Sequence, residues 1–148
     1  MTAYALAAYA HYLSFMILFA ALVAEHLLYR NGLTAAEAKR ILVLDVIYGI
    51  SALAVIVTGI LRMQIQGNGF EYYLGSHIFL LKLLLFAVIA LLSMYPSLHF
   101  LKWRRMLGSD TAPAADTVTA RRIIMVMRLE LLGVLLIPLL ATFMAAGY

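Results

Sequence analysis

The chain alternates between long apolar runs and short polar connections. Four apolar stretches run from about Ala5 to Leu28, Ile41 to Met63, Ile78 to Leu101 and Ile123 to Ala146. Each reaches the roughly 20 residues needed to cross about 30 Å of hydrocarbon. They are apolar on every face, with no strand-like alternation. In lipid a helix satisfies its own backbone groups and an open sheet cannot. The pattern predicts an all-α fold: one domain, residues 1–148, built as a four-helix transmembrane bundle.

The connections predict how the spans begin and end. Thr34 and Glu37 fit a capping box, so the second span starts near Ala35, before the membrane. Pro113 and the Ser, Asp and Thr content between Gly108 and Thr119 mark a surface loop, with Asp116 as the cap of the fourth span. Gln64 to Gly69 reads as a turn between the second and third spans. Pro96 is placed to kink the third span. Pro138 interrupts the fourth and frees a carbonyl near Val134. Gly49, Ala52, Ile56 and Gly59 share a face of the second span with Asp45, a small-residue stripe suited to close helix packing.

Composition sharpens the class. Hydrophobic residues make up 66% of the 148 and charged residues 12%, against about 45–50% and 25% in soluble domains. The mean hydropathy is +0.99. These values exclude a soluble enzyme and a nucleic-acid-binding module, and the net charge of +4 does not change that, because the basic residues lie between apolar runs. The absence of cysteine excludes disulfides, zinc-thiolate sites and iron–sulfur clusters.

Charge also orients the chain. Arg30, Lys39, Arg40, Lys102, Arg104, Arg105, Arg121 and Arg122 flank two of the connections, and only Arg62 lies on the opposite side. The positive-inside rule puts those connections in the cytoplasm. Both termini then face outward, to the periplasm for a bacterial inner-membrane protein. Tyr4, Tyr9, Tyr12, Phe70, Tyr72, Tyr73 and Tyr148 form an outer aromatic belt, and Tyr29 and Trp103 mark the inner one. The first span lacks the positive flank of a secretory signal and reads as a retained helix.

Ionisable residues inside the spans are costly and usually partnered. Glu25, Asp45, Arg128 and Glu130 share the cytoplasmic half, where they are expected to contact one another. Such a network serves as a proton relay, as a polar substrate seat, or only as a device that fixes helix register. His11 and His77 lie at similar depth in the outer half, on the first and third spans. Two imidazoles facing each other there suit axial ligation of haem iron, with Arg62 placed for the propionates. His77 also reads as an interfacial side chain. Lys82 points about 140° away from His77 at about 100° per residue, toward Ile89, Ser93 and Pro96. It either snorkels or pairs with Glu71 or a bound anion. The unequal separations, 15 residues from His11 to His26 and 22 from His77 to His99, argue against a second bis-His site.

Several segments carry a resemblance: Leu44 to Ala52, Gly59 to Arg62, Lys82-Leu83, Ser93 to Pro96 and Arg128 to Leu131. With His11 to Glu25 they resemble an uncharacterised bacterial four-helix membrane family, over nearly the whole chain. More distantly the chain resembles the HemJ-type protoporphyrinogen oxidases and the CopD-like membrane proteins. His11, Lys82, Arg128 and Glu130 stand where HemJ proteins have a histidine, a lysine, and an arginine with a nearby glutamate. That resemblance implies haem b binding, a homo-oligomer, and catalytic roles for Lys82, Arg128 and Glu130; the buried-charge reading adds Asp45 and Glu25 to the catalytic group. It departs from HemJ late in the first span, which reads Val23-Ala24-Glu25-His26 in place of Leu-Pro-Arg. A redox role adds an electron-transfer partner to the lipid bilayer. The contrasting expectation is a small transporter, or a structural subunit of a membrane complex.

Overall fold

The computed structural model describes residues 2–66, 69–107 and 116–146, and among these there is helix and no strand. The elements are α1 (Thr2–Leu28), α2 (Ala35–Gln66), α3 (Gly69–Leu74), α4 (His77–Leu107) and α5 (Thr117–Ala145). The four long helices are each long and apolar enough to cross a membrane. They run up, down, up and down, so α1 begins and α5 ends at one end of the bundle. This is the terminal end; the basic connections lie at the other, the loop end.

Local chemistry sets the helix starts. Thr34 Oγ1 accepts from the Glu37 N–H at 3.3 Å, and Glu37 Oε2 accepts from the Thr34 N–H at 2.9 Å, so the capping box forms as expected. Asp116 Oδ1 accepts from the Thr119 N–H at 2.6 Å and caps α5. Between α1 and α2 the chain reverses through Gly32, whose φ of +78° favours glycine. The connection after α2 differs from the expected turn. α2 continues to Gln66, and the short helix α3 follows before Ser76, whose Oγ accepts from the Phe79 N–H at 3.3 Å at the start of α4. Pro96 and Pro138 both lie inside continuous helices.

α1 packs along α2 and α4 along α5, while α2 meets α4 and α1 meets α5. At Gly133 α5 approaches α4 closely: a Cβ there would lie 2.8 Å from Ile89 Cγ1 and Cδ1. Gly49, by contrast, has nothing within 4 Å of a built Cβ, so the expected small-residue stripe on α2 is not a continuous contact. Gly59 does make a close approach, to His11.

Two buried clusters fill the interior. The middle one joins Leu18, Leu22, Tyr48, Val55, Ile89 and Val134. The loop-end one joins Tyr29, Ile41, Phe100, Trp103, Ile123 and Met127. Tyr29 stacks on Trp103 with centroids 6.1 Å apart and planes 3° from parallel. Both rings are core, which corrects their expected place in an aromatic belt. Their amphipathic rings gain more from packing on Phe100 than from an exposed position. Burial pushes the Tyr29 phenol up to about 12. Tyr73 is buried too, against Phe79, whereas Tyr9, Tyr12 and Tyr72 are exposed as a belt requires. Tyr148 and the Phe70 side chain lie outside the described residues.

Candidate functional site

The polar residues of the interior fall into two groups. At the terminal end the helices diverge around a cavity of about 650 Å³. All four long helices and α3 contribute to its wall, which is mostly apolar: Phe15, Tyr73, Phe86 and Pro138 are examples. Its charged and titratable residues are His11 from α1, Arg62 from α2 and Lys82 from α4.

The His11 ring is held in one orientation. Its Nδ1 lies 3.1 Å from the Val55 carbonyl oxygen and 3.1 Å from Thr58 Oγ1. A carbonyl oxygen only accepts, so Nδ1 carries the hydrogen and Nε2 keeps the lone pair. Thr58 spends its own hydrogen on the Ala54 carbonyl at 2.5 Å, which leaves its oxygen free to accept from the ring. Gly59 gives the ring its room, since a Cβ there would meet His11 Cε1 at 3.3 Å.

The two cations are oriented by aromatic rings. The Arg62 guanidinium lies 5.0 Å from the Tyr12 ring centroid and 5.8 Å from that of Tyr4, and donates to the Tyr4 hydroxyl at 3.4 Å. Its Nε is buried without a partner. Lys82 Nζ lies 5.0 Å from the Phe79 centroid. Lys82 and Arg62 act electrostatically on each other and on His11. The expected Lys82–Glu71 pair does not form: among the described residues the salt bridge found is Arg30–Glu37, at 2.7 Å.

His77 is exposed at the start of α4 and takes no part in the cavity wall, so the expected His11–His77 pair is not formed. The reason is rotational. The residues one and two heptads beyond His77, Leu84 and Leu91, are 62% and 68% exposed, and that face looks outward. Lys82 lies on the face of Ile89, which is 3% exposed, and so points inward.

The second group lies toward the loop end. Glu25 and Glu130 are buried, at 3% and 1% exposure, and each has one carboxyl oxygen without a partner. Asp45 is half-buried and accepts from the Ser97 hydroxyl at 2.5 Å. The three carboxyls are within electrostatic range of one another and of Tyr48. Arg128 does not join them. It is exposed on α5, because two residues along a helix turn it about 200° away from Glu130. The expected four-residue network is therefore three acids without the base. Beside it a cavity of about 100 Å³ is lined by Tyr48, Ser93 and Ser97.

Thr58, Tyr48 and Ser97 enter these sites without having been singled out in the sequence. For Tyr48 and Thr58 the signal was the stripe Tyr48, Ser51, Val55, Thr58 and Arg62, whose spacing of three or four residues places them on one face of α2; Ser97, on α4, had no such signal.

No curated protein and no solved structure matches the chain. Residues 3–148 match the family described as "Predicted membrane protein (DUF2214)", and the chain, with its four apolar helices and two polar interior sites, belongs to that family.

Proposed function

We propose that this membrane protein binds haem b in the terminal-end cavity and serves a redox role. The observation that carries the reading is the His11 ring. Its Nδ1–H is fixed on the Val55 carbonyl and its lone-pair nitrogen is left free, which is how ligating histidines are commonly oriented. The residues present fit the group. The cavity has the volume of a cofactor site, and Arg62 and Lys82 supply two cations for two propionates. When bound, haem iron supplies one-electron chemistry. The resemblance to HemJ proteins at His11 and Lys82 supports the same reading. In it the protein resides in a bacterial inner membrane, with the termini periplasmic and an electron-transfer partner at the membrane. Cysteines placed at Glu71 and Asn31 test the orientation: a membrane-impermeant reagent labels position 71 from outside and not position 31.

The test of haem binding is optical. Protein purified from haem-replete cells is expected to show a Soret band, and His11→Ala to lose its low-spin form. A variant that keeps the wild-type spectrum and stoichiometry removes His11 as the ligand.

A second reading rests on Arg62 and Lys82, which have no carboxylate partner in the cavity. In it the ligand is a metal-free amphipathic anion such as an acidic lipid, and the protein is a transporter or a subunit of a larger complex. Wild-type protein that stays colourless when haem is supplied, and co-purifies with acidic lipid, selects this reading.

A further inference from the structure

The second polar group carries an inference that does not depend on what the terminal-end cavity holds. Three carboxyls from three helices share the interior toward the loop end, Glu25 on α1 and Glu130 on α5 fully buried and Asp45 on α2 half-buried. The groups acting on them are one another, Tyr48 and Ser97. Among the described residues no cation is among the groups acting on Glu25 or Glu130. Arg128 faces outward, and Lys82 and Arg62 lie at the other end of the bundle. His26 and His99 sit near the loop end, where His99 Nδ1 pairs with the Tyr95 carbonyl at 2.9 Å.

Ionised carboxylates buried in an apolar interior are costly unless a cation or hydrogen-bond donors offset the charge. Two independent features show what is needed to complete the site. Glu25 and Glu130 are each more than nine-tenths buried, and each leaves a carboxyl oxygen with no hydrogen-bond partner. A buried oxygen without a partner is expensive. A proton on a carboxyl removes the charge, and with it most of the cost of burying the group. A metal ion does not serve: among the described residues no group of three His, Asp or Glu is disposed to hold one.

We infer that Glu25, Asp45 and Glu130 form a proton-binding site inside the membrane-spanning bundle, occupied at neutral pH. Binding adds one proton to a carboxylate oxygen and forms one O–H bond; release returns it to water. The neighbouring cavity, lined by Tyr48, Ser93 and Ser97, has room and polar partners for water next to the Ser97–Asp45 hydrogen bond. The loop-end side is closed by the packed rings of Tyr29, Phe100 and Trp103.

Infrared spectroscopy of the full chain in nanodiscs at neutral pH tests the site. The expected result is a C=O stretch from a protonated carboxyl that shifts in heavy water. Isotopic labelling of glutamate should move that band. Glu71 is exposed and Glu37 partly exposed at the helix ends, so a buried, slowly exchanging glutamic acid signal reports Glu25 or Glu130. Glu25→Gln and Glu130→Gln should each remove part of the band, and Arg128→Gln should leave it unchanged. Carboxylate bands alone in the wild type would overturn the inference. So would a protonated band that neither glutamine variant nor glutamate labelling affects. The labelled wild type gives the answer even where a glutamine variant does not fold.

Discussion

The two interior polar sites of this bundle are opposite in charge and structurally unlike. At the terminal end, His11, Arg62 and Lys82 line an open cavity of about 650 Å³. Toward the loop end, Glu25 and Glu130 are enclosed by packed side chains, and below them aromatic rings fill the interior. Opposite charges within one small protein would ordinarily be expected to pair. Here they do not, because His11 and Glu25 stand 14 residues apart on α1, about 21 Å of helix at 1.5 Å per residue. The difference teaches what each end is built for. Unpaired cations beside a cavity await an anion from outside the chain. Unpaired acids without a large cavity leave room for nothing bigger than a proton or water.

The comparison breaks most severely if the closed end is opened. Phe100 is fully buried among Tyr29 and Trp103, so Phe100→Ala is expected to cost about 3–5 kcal/mol. Met63→Ala, on the wall of the open cavity, should cost markedly less. Reversible unfolding in mixed detergent measures both, and equal losses would erase the packing contrast between the two ends.

Between the ends, Gly133 sets the spacing of α4 and α5. Gly133→Ala places a methyl 2.8 Å from Ile89 Cγ1 and Cδ1, and overpacking of this kind costs about 1–3 kcal/mol. Adding Ile89→Ala should recover part of that loss, and a double-mutant cycle that adds without coupling would remove the contact as the cause.

At the open end, Lys82→Met keeps the apolar stem and deletes the charge. It should weaken binding of an anionic ligand about tenfold, equivalent to roughly 1.4 kcal/mol. His77→Ala should leave binding unchanged, since His77 faces outward. Titration with haem or with acidic lipid in nanodiscs gives both numbers, and a larger effect from His77 would overturn the rotational assignment of α4.

At the loop end the effects appear on titration, outside the neutral range. The Tyr29 phenol is pushed up by burial, so the fold favours its neutral form. Stability is full below the ordinary tyrosine value of about 10 and falls as pH rises from there through about 12. Tyr29→Phe should lack this loss in alkaline near-ultraviolet dichroism. Asp116 has the opposite sign: hydrogen bonds from Thr119 hold its carboxyl below its usual range. Its contribution is present above about 3.9 and disappears as pH falls through the lowered value. Faster amide exchange at Thr119 in acid, absent from Asp116→Asn, is the check.

Much of this molecule was legible before any coordinates. Spans of some two dozen apolar residues leave helices as the solution in lipid. Thr34, Glu37 and Asp116 marked the helix starts because capping is local chemistry. His11 stood out because an imidazole inside an apolar span needs partners. Rotation about each helix axis was harder to read. In a lipid-exposed bundle, apolar residues cover the outside as well as the core, so the hydrophobic pattern does not say which face is inward. That ambiguity placed His77 with His11 and Arg128 with Glu130, when both basic side chains in fact look outward.

The sequence by itself determined the four spans, their order, their caps and the depth of each ionisable residue. These follow from backbone hydrogen bonding, local side-chain chemistry and the fixed rise of a helix. Only the tertiary structure decided which faces meet. It brought His11, Arg62 and Lys82 to one cavity, gave His11 the Val55 carbonyl as its partner, and left Glu25 and Glu130 buried without a base. Facing is a property of packing between helices, set by shapes such as Gly133 against Ile89, and packing of that kind leaves no period in a chain that is apolar all around.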